Sequence, residues 1–172
     1  FVFSDGTVLT LEDIMARANG VIGYQYGTYG DDVMRGSVTY DSIYGDDGND
    51  KIEALDRGDY VNGQWGDDII SAGSGDDTVD TGPGNNVVAG GHGNDYLYGS
   101  DGDDVYAFNR GDGQDYIEDA GYYGSGDQDT ISFGVSVVPQ DVSGYIDGSS
   151  LVLMIPGTTD EIRLYYFDYG QE

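Results

Sequence analysis

The sequence has no cysteine, a single histidine, three prolines and only six Lys+Arg among 172 residues. Each shortage excludes something. Without cysteine there is no disulfide scaffold and no thiolate metal site. Six basic residues against 33 acidic ones leave a formal charge of −27. That rules out a basic face able to track a phosphate backbone, so nucleic acid is excluded as a partner, and it disfavours docking on an anionic membrane. No stretch approaches the ~18 apolar residues that a membrane-spanning helix needs. His92 is the only histidine, so no nucleophile–base–orienter set can be assembled. Neither HExxH nor GxSxG occurs. We expect His92 to be a surface loop residue and the chain to be no enzyme. The length suits one domain or two small ones fused. The acidity taken alone describes a disordered chain, but 16 tyrosines and 30 glycines oppose that reading, because the glycines are not scattered.

Written in nines from Gly27 to Ala107, the chain reads GTYGDDVMR, GSVTYDSIY, GDDGNDKIE, ALDRGDYVN, GQWGDDIIS, AGSGDDTVD, TGPGNNVVA, GGHGNDYLY and GSDGDDVYA, with no insertion. Position six holds Asp32, Asp41, Asp50, Asp59, Asp68, Asp77, Asn86, Asp95 and Asp104. Position four holds Gly30, Gly48, Gly66, Gly75, Gly84, Gly93 and Gly102, with Thr39 and Arg57 as the exceptions. Position eight is apolar from Met34 to Leu97 and Tyr in the last unit, Tyr106. After a slip of two residues, RGDGQDYIE puts Asp115 and Ile117 in the same roles, and a looser echo, DQDTI, ends at Ile131.

This pattern resembles the RTX (repeats-in-toxin) family, whose glycine- and aspartate-rich nonapeptides build a calcium-loaded parallel β-roll. The residues carry physical reasons of their own. Glycine at positions one and four permits positive φ and close backbone approach. The position-six carboxylate is a hard oxygen ligand of the kind Ca²⁺ takes, and folded-back carbonyls would supply more. Positions seven to nine read as a three-residue strand with one apolar side chain inward. Two nonamers complete one coil, so each loop stacks on the loop two units on, and an ion between them would meet both position-six carboxylates. One buried aliphatic per nonamer does not offset the entropy of ordering nine residues, and like charges along each edge add repulsion. The expectation is a chain that folds only when Ca²⁺ binds.

Seven or eight Ca²⁺ sites follow from pairing the loops. The Asp50–Asp68 and Asp77–Asp95 pairs look best. The two sites that share the uncharged Asn86 should be weaker. The Asp41–Asp59 site should be poor, since Thr39 and Arg57 replace glycine there and Arg57 brings in a cation.

We expect an all-β, right-handed parallel β-roll over 27–107. Residues 1–26 read as an N-terminal flank: a hairpin at Asp5-Gly6, then a short helix opened by Thr10. They do not read as a secretory signal peptide. Residues 108–172 hold the last degenerate repeats and an antiparallel β-meander, with strands near 142–146, 151–155 and 161–167 and turns at Asp147-Gly148 and Pro156-Gly157. Its apolar runs should close the open end of the roll. The meander is similar to the C-terminal flank of repeat blocks in haemolysin-like and adenylate-cyclase-type toxins. There, a segment like FVFSDGTVLTLEDI often follows the meander; here it comes first, as if the end of one block preceded the next.

The resemblance implies a module of a larger secreted or surface-attached bacterial protein, exported unfolded through type I secretion machinery and folded by Ca²⁺ outside. The alternative is a calcium-rigidified adhesin module that binds a ligand or glycan through Trp65 and surface tyrosines, although we expect most aromatics in the rungs and the cap core. Adjacent carboxylates such as Asp67-Asp68 and Asp76-Asp77 mimic a general acid/base pair, but the period accounts for them as loop residues. An ice-binding ladder is excluded, because neither position three nor position seven repeats one residue type. Oligomeric state is not readable from the sequence.

Overall fold

A computed structural model describes residues 23–119 and 127–165; the expected N-terminal hairpin and helix lie outside them. Each x-U-x tail forms a strand, and each G/D-rich segment forms the loop that reverses the chain. The alternation is strict. Ile43, Val61, Val79, Leu97 and Ile117 point inward from one sheet, and Met34, Ile52, Ile70, Val88 and Tyr106 from the other, all buried. Their neighbours at positions seven and nine face out, as the period of two along a strand requires.

The first sheet contains β1 (Gly23–Tyr26), β3 (Asp41–Tyr44), β5 (Tyr60–Asn62), β7 (Thr78–Asp80), β9 (Tyr96–Gly99) and β11 (Gln114–Asp119), paired in parallel in that order. The second contains β2 (Val33–Arg35), β4 (Lys51–Asp56), β6 (Ile69–Ser74), β8 (Val87–His92), β10 (Val105–Phe108) and β12 (Thr130–Phe133). Register follows the double nonamer, with Ser42 opposite Tyr60, Tyr60 opposite Thr78 and Thr78 opposite Tyr96. The two-residue slip is absorbed without loss of register, since Leu97 faces Ile117. The looser echo falls in line as well, with Tyr106 opposite Ile131. Parallel stacking thus extends beyond the nine regular units at both ends. Tyr24 of β1 pairs with Ser42 before the first unit begins.

The meander forms where the turn residues place it. β13 (Ser143–Asp147), β14 (Ser150–Met154) and β15 (Glu161–Tyr165) pair antiparallel, and a 3₁₀ turn at Pro139–Asp141 precedes them. It caps the roll as expected: β15 joins the first sheet edge-on, parallel to β11, the last strand of that sheet, so the meander closes this end by prolonging the sheet. Val137, Ile155 and Ile162 join the roll's own apolar core. An open parallel edge offers a row of backbone partners, and pairing satisfies them. Arg110 ties the turn to the roll through Asp141 at 3.1 Å.

The aromatics also fall differently. Among the described tyrosines, Tyr106 alone enters that core, with its hydroxyl donating to Asp119 at 2.7 Å. Tyr24, Tyr26 and Tyr96 lie exposed on the outer face of the first sheet. Tyr26 stacks on Tyr44 with ring centroids 5.1 Å apart. A three-residue strand has one inward position, and small aliphatics fill it, so the rings are left outside.

Ile69 and Ile70 test the register directly, being adjacent isoleucines 54% and 2% exposed. Ile70→Ala should cost about 2–5 kcal/mol by leaving a cavity, whereas Ile69→Ala should cost almost nothing. Urea unfolding of both variants in saturating Ca²⁺ measures the difference.

Candidate metal centre

The position-six residues form two buried ladders, one on each edge of the roll. Along one edge the backbone N–H of Asp32 donates to Oδ1 of Asp50, Asp50 to Asp68, Asp68 to Asn86 and Asn86 to Asp104, each step spanning 18 residues. Along the other, Asp41 donates to Asp59, Asp59 to Asp77, Asp77 to Asp95 and Asp95 to Asp115. All these bonds lie between 2.6 and 3.1 Å. Each ladder group after Asp32 and Asp41 therefore has one oxygen fixed by the neighbouring coil. Asp129 extends the first ladder, accepting from Asp104 at 3.0 Å, a role that the sequence reading had not assigned to it. Its signal was the Asp that precedes Thr-Ile in the DQDTI echo. On the second edge the ladder ends at the cap, where Ile162 lies opposite Asp115.

The second carboxylate oxygen distinguishes the loops. Oδ2 of Asp50, Asp59, Asp68, Asp77 and Asp95 is buried and has no hydrogen-bond partner among the described residues. The oxygen folds back over position one of its own loop, so a Cβ added at Gly45, Gly63 or Gly90 would collide with it. Buried carboxylate oxygens of this kind are strongly disfavoured unless a donor or a cation meets them. Both sequence-favoured pairs, Asp50–Asp68 and Asp77–Asp95, consist entirely of such groups. Other loops satisfy the same oxygen internally. Thr28 donates its N–H and hydroxyl to Asp32 at 2.6 and 2.9 Å, and Ser37 does the same for Asp41. In the Asp41–Asp59 pair the occupied oxygen is thus Asp41's, and Ser37 rather than Arg57 fills it. Arg57 itself is exposed.

Glycine has a different role from the one expected at position one. Left-handed φ occurs at positions two and four, as in Gln64 and Gly66, Gly73 and Gly75, and Gly91 and Gly93. At position one, Gly45, Gly63 and Gly90 leave the space into which the carboxylate folds, as above, whereas Ala54, Ala72 and Thr81 carry a Cβ at the same position. Gly48, Gly66, Gly75, Gly84, Gly93 and Gly102 all carry φ between 127° and 151° and abut the backbone of the preceding coil. Gly30 alone has open space around it and no left-handed φ. Arg57 adopts φ 85° at the same position, which an L side chain tolerates only at a cost. Thr39 does not adopt it.

Position five holds a second ladder that the sequence reading passed over. Asn49 donates its N–H to Asp31, Asp67 to Asn49, Asn85 to Asp67 and Asp103 to Asn85. Asn94 donates likewise to Asp76 on the other edge. The near-continuous Asp/Asn column at position five was its visible signal. His92 lies exposed in its loop, with Nδ1 2.9 Å from the Gly111 carbonyl oxygen.

Burial pushes the carboxyls of Asp50, Asp59, Asp68, Asp77, Asp95, Asp104 and Asp115 up from an ordinary value of 3.8. Asp68, Asp95 and Asp104 rise to about 6, Asp59 and Asp77 to about 7, and Asp115 to about 8. Desolvation is the main cause; the N–H from the neighbouring coil opposes it, and nearby carboxylates add to it. Among the described residues, no three Asp, Glu or His side chains converge on one point. A cation in these loops must therefore be met by backbone carbonyls together with the ladder carboxylates, a donor set of hard oxygens only. Such a set suits Ca²⁺.

The family model of the RTX calcium-binding nonapeptide repeat matches residues 26–56, 51–79 and 80–117. Eleven chains of solved structures match as well. One is the crystal structure of extracellular lipase LipA from Serratia marcescens, 16% identical with a TM-score of 0.39. The match covers 86% of this chain and 38% of that one, so the chain spans well under half of its length. No curated protein matches.

The raised carboxyls set a pH dependence. A group with a raised folded pKa favours the fold below its unfolded value and loses that contribution as pH rises through the folded one. In chelator, structure should therefore increase as pH falls from 8 towards 4, with most of the change between about 8 and 6. With Ca²⁺ present, affinity should fall over the same interval as protons compete for the oxygens. Far-UV circular dichroism and calcium titration at stepped pH would show both trends.

Proposed function

The chain belongs to the RTX calcium-binding nonapeptide repeat family, and from that premise we propose that it is a folding module of a larger secreted or surface-attached bacterial protein, driven to fold by Ca²⁺. One observation carries the reading: five buried carboxylate oxygens, on Asp50, Asp59, Asp68, Asp77 and Asp95, have no donor among the described residues. Calcium would supply the positive charge that these oxygens lack. The residues that would hold it are the ladder carboxylates and the carbonyls of the left-handed loops. The protein's own part is to align those oxygens by stacking one coil on the next.

The consequence for export follows from mass action. Where Ca²⁺ is scarce, the acidic edges repel and the chain stays open, a form that a type I secretion channel can thread. Outside, millimolar Ca²⁺ binds only the folded state and pulls the equilibrium to it. The module itself carries out no catalysis in this reading; any effector activity belongs to the parent protein. Two facts favour an additional role as a ligand-binding surface: Trp65 is 65% exposed, and tyrosines cover the outer face of the first sheet. Glycan-array binding in Ca²⁺ that disappears in Trp65→Ala would support that role; an array without hits would remove it.

In chelator at neutral pH the chain should show a largely unstructured far-UV spectrum, and strand signal should appear cooperatively as Ca²⁺ is added. Replacing Na⁺ salt for Ca²⁺ should not reproduce the change. A strand spectrum in chelator, unaltered by Ca²⁺, would overturn the proposal.

A further inference from the structure

Loop 81–86, TGPGNN, departs from its neighbours in one respect. Asn86 is fully buried and stands where they have aspartate. Its Oδ1 accepts the Asp68 N–H at 2.9 Å, as the Asp residues do from the coil before them. Its Nδ2, however, donates to the carbonyl oxygens of Gly82 at 3.0 Å and Gly84 at 3.1 Å. Those are positions two and four of its own loop, and both residues are left-handed, with φ 74° and 144°. Loops 63–68, 72–77 and 90–95 have the same left-handed pair. In them the atom equivalent to Nδ2 is an unpartnered Oδ2, set among lone pairs with nothing positive between them.

Thr81 acts in the same direction. Its hydroxyl lies 3.3 Å from Oδ2 of Asp104, on the next coil, and 3.4 Å from the Gly82 carbonyl oxygen. The unit therefore settles its own carboxyl-type group and offers a donor to the Asp above. It lies in the interior of the first ladder, after Asp50 and Asp68 with their free oxygens.

We propose that the Asn86 carboxamide takes the place of a metal ion in loop 81–86, so that this loop closes without Ca²⁺ and interrupts the calcium column of its edge. The proposal rests on the calcium-module reading above and goes further, since it says which loop is exempt and by which atoms. A carboxamide offers two N–H donors to two carbonyls and needs no counter-charge. It would hold one coil in register before any ion binds, giving the neighbouring coils a template on which their ladders assemble.

The test counts bound ions by native mass spectrometry in saturating Ca²⁺, on the full chain. N86D should bind one Ca²⁺ more than the parent, and its folding midpoint should move to higher Ca²⁺ because the template is lost. D77N should bind one fewer and stay folded in Ca²⁺, with its midpoint moved to lower Ca²⁺, because the new carboxamide can donate to the carbonyls of Gly73 and Gly75. An unchanged count in N86D overturns the proposal, as does a D77N chain that keeps its count or unfolds in saturating Ca²⁺. If N86D fails to fold, D77N decides alone. A parent chain that binds no Ca²⁺ refutes the module reading itself, and the proposal with it, a result distinct from an equal, non-zero count in parent and variant.

Discussion

One constraint governs this molecule: the middle coils force carboxyl groups into loops walled by backbone, where one oxygen finds an N–H and the other finds no donor among the described residues. The period of the chain positions both oxygens. The 18-residue repeat brings each position-six group under the N–H of the one before. Glycine at position one leaves room for the carboxylate to fold back. The left-handed residues at positions two and four shape the wall around it. The second oxygen is the one that the chain leaves unmet in the middle coils, and a buried anion without a donor is among the most costly groups a protein can contain.

The roll does not apply this constraint evenly. Its first two loops supply hydroxyl and amide donors from Thr28 and Ser37. The far end of one ladder stops at Ile162. The free oxygens are concentrated in the middle, from Asp50 to Asp95. Coils with an unmet carboxylate oxygen are thus flanked by coils whose loops supply their own hydrogen bonds, and by a meander that adds backbone pairing and apolar burial at one edge. In a solenoid, where each coil touches only its neighbours, stability is set coil by coil. A graded demand for cation is therefore a natural outcome of small changes in loop sequence.

Much of this was legible in advance. The nonamer period, the inward position-eight column from Met34 to Tyr106, the two-residue slip before Asp115 and the meander turns all appear in the structure where the residues put them, and a family match now covers residues 26–117. Some features were misread. Left-handed φ was assigned to position one instead of position two, because Gly, Asp, Gln and Leu all occupy position two and hide the column. The tyrosines were expected inside, yet the single inward place per strand is already filled.

The sequence by itself determined the period, the faces of the strands and the acidity of the loops, since these follow from side-chain alternation and spacing along one chain. Only the tertiary structure decided which carboxylate oxygens have partners. That depends on whether a hydroxyl at position two, a carboxamide at position six or a residue a full coil away comes within hydrogen-bond reach, and no spacing along the chain encodes it. Asn86 shows the difference. In the sequence it is a weakened ligand, a missing charge in an otherwise acidic column. In the assembled coil its amide nitrogen donates to the carbonyls of Gly82 and Gly84, where Asp68, Asp77 and Asp95 have an unpartnered oxygen.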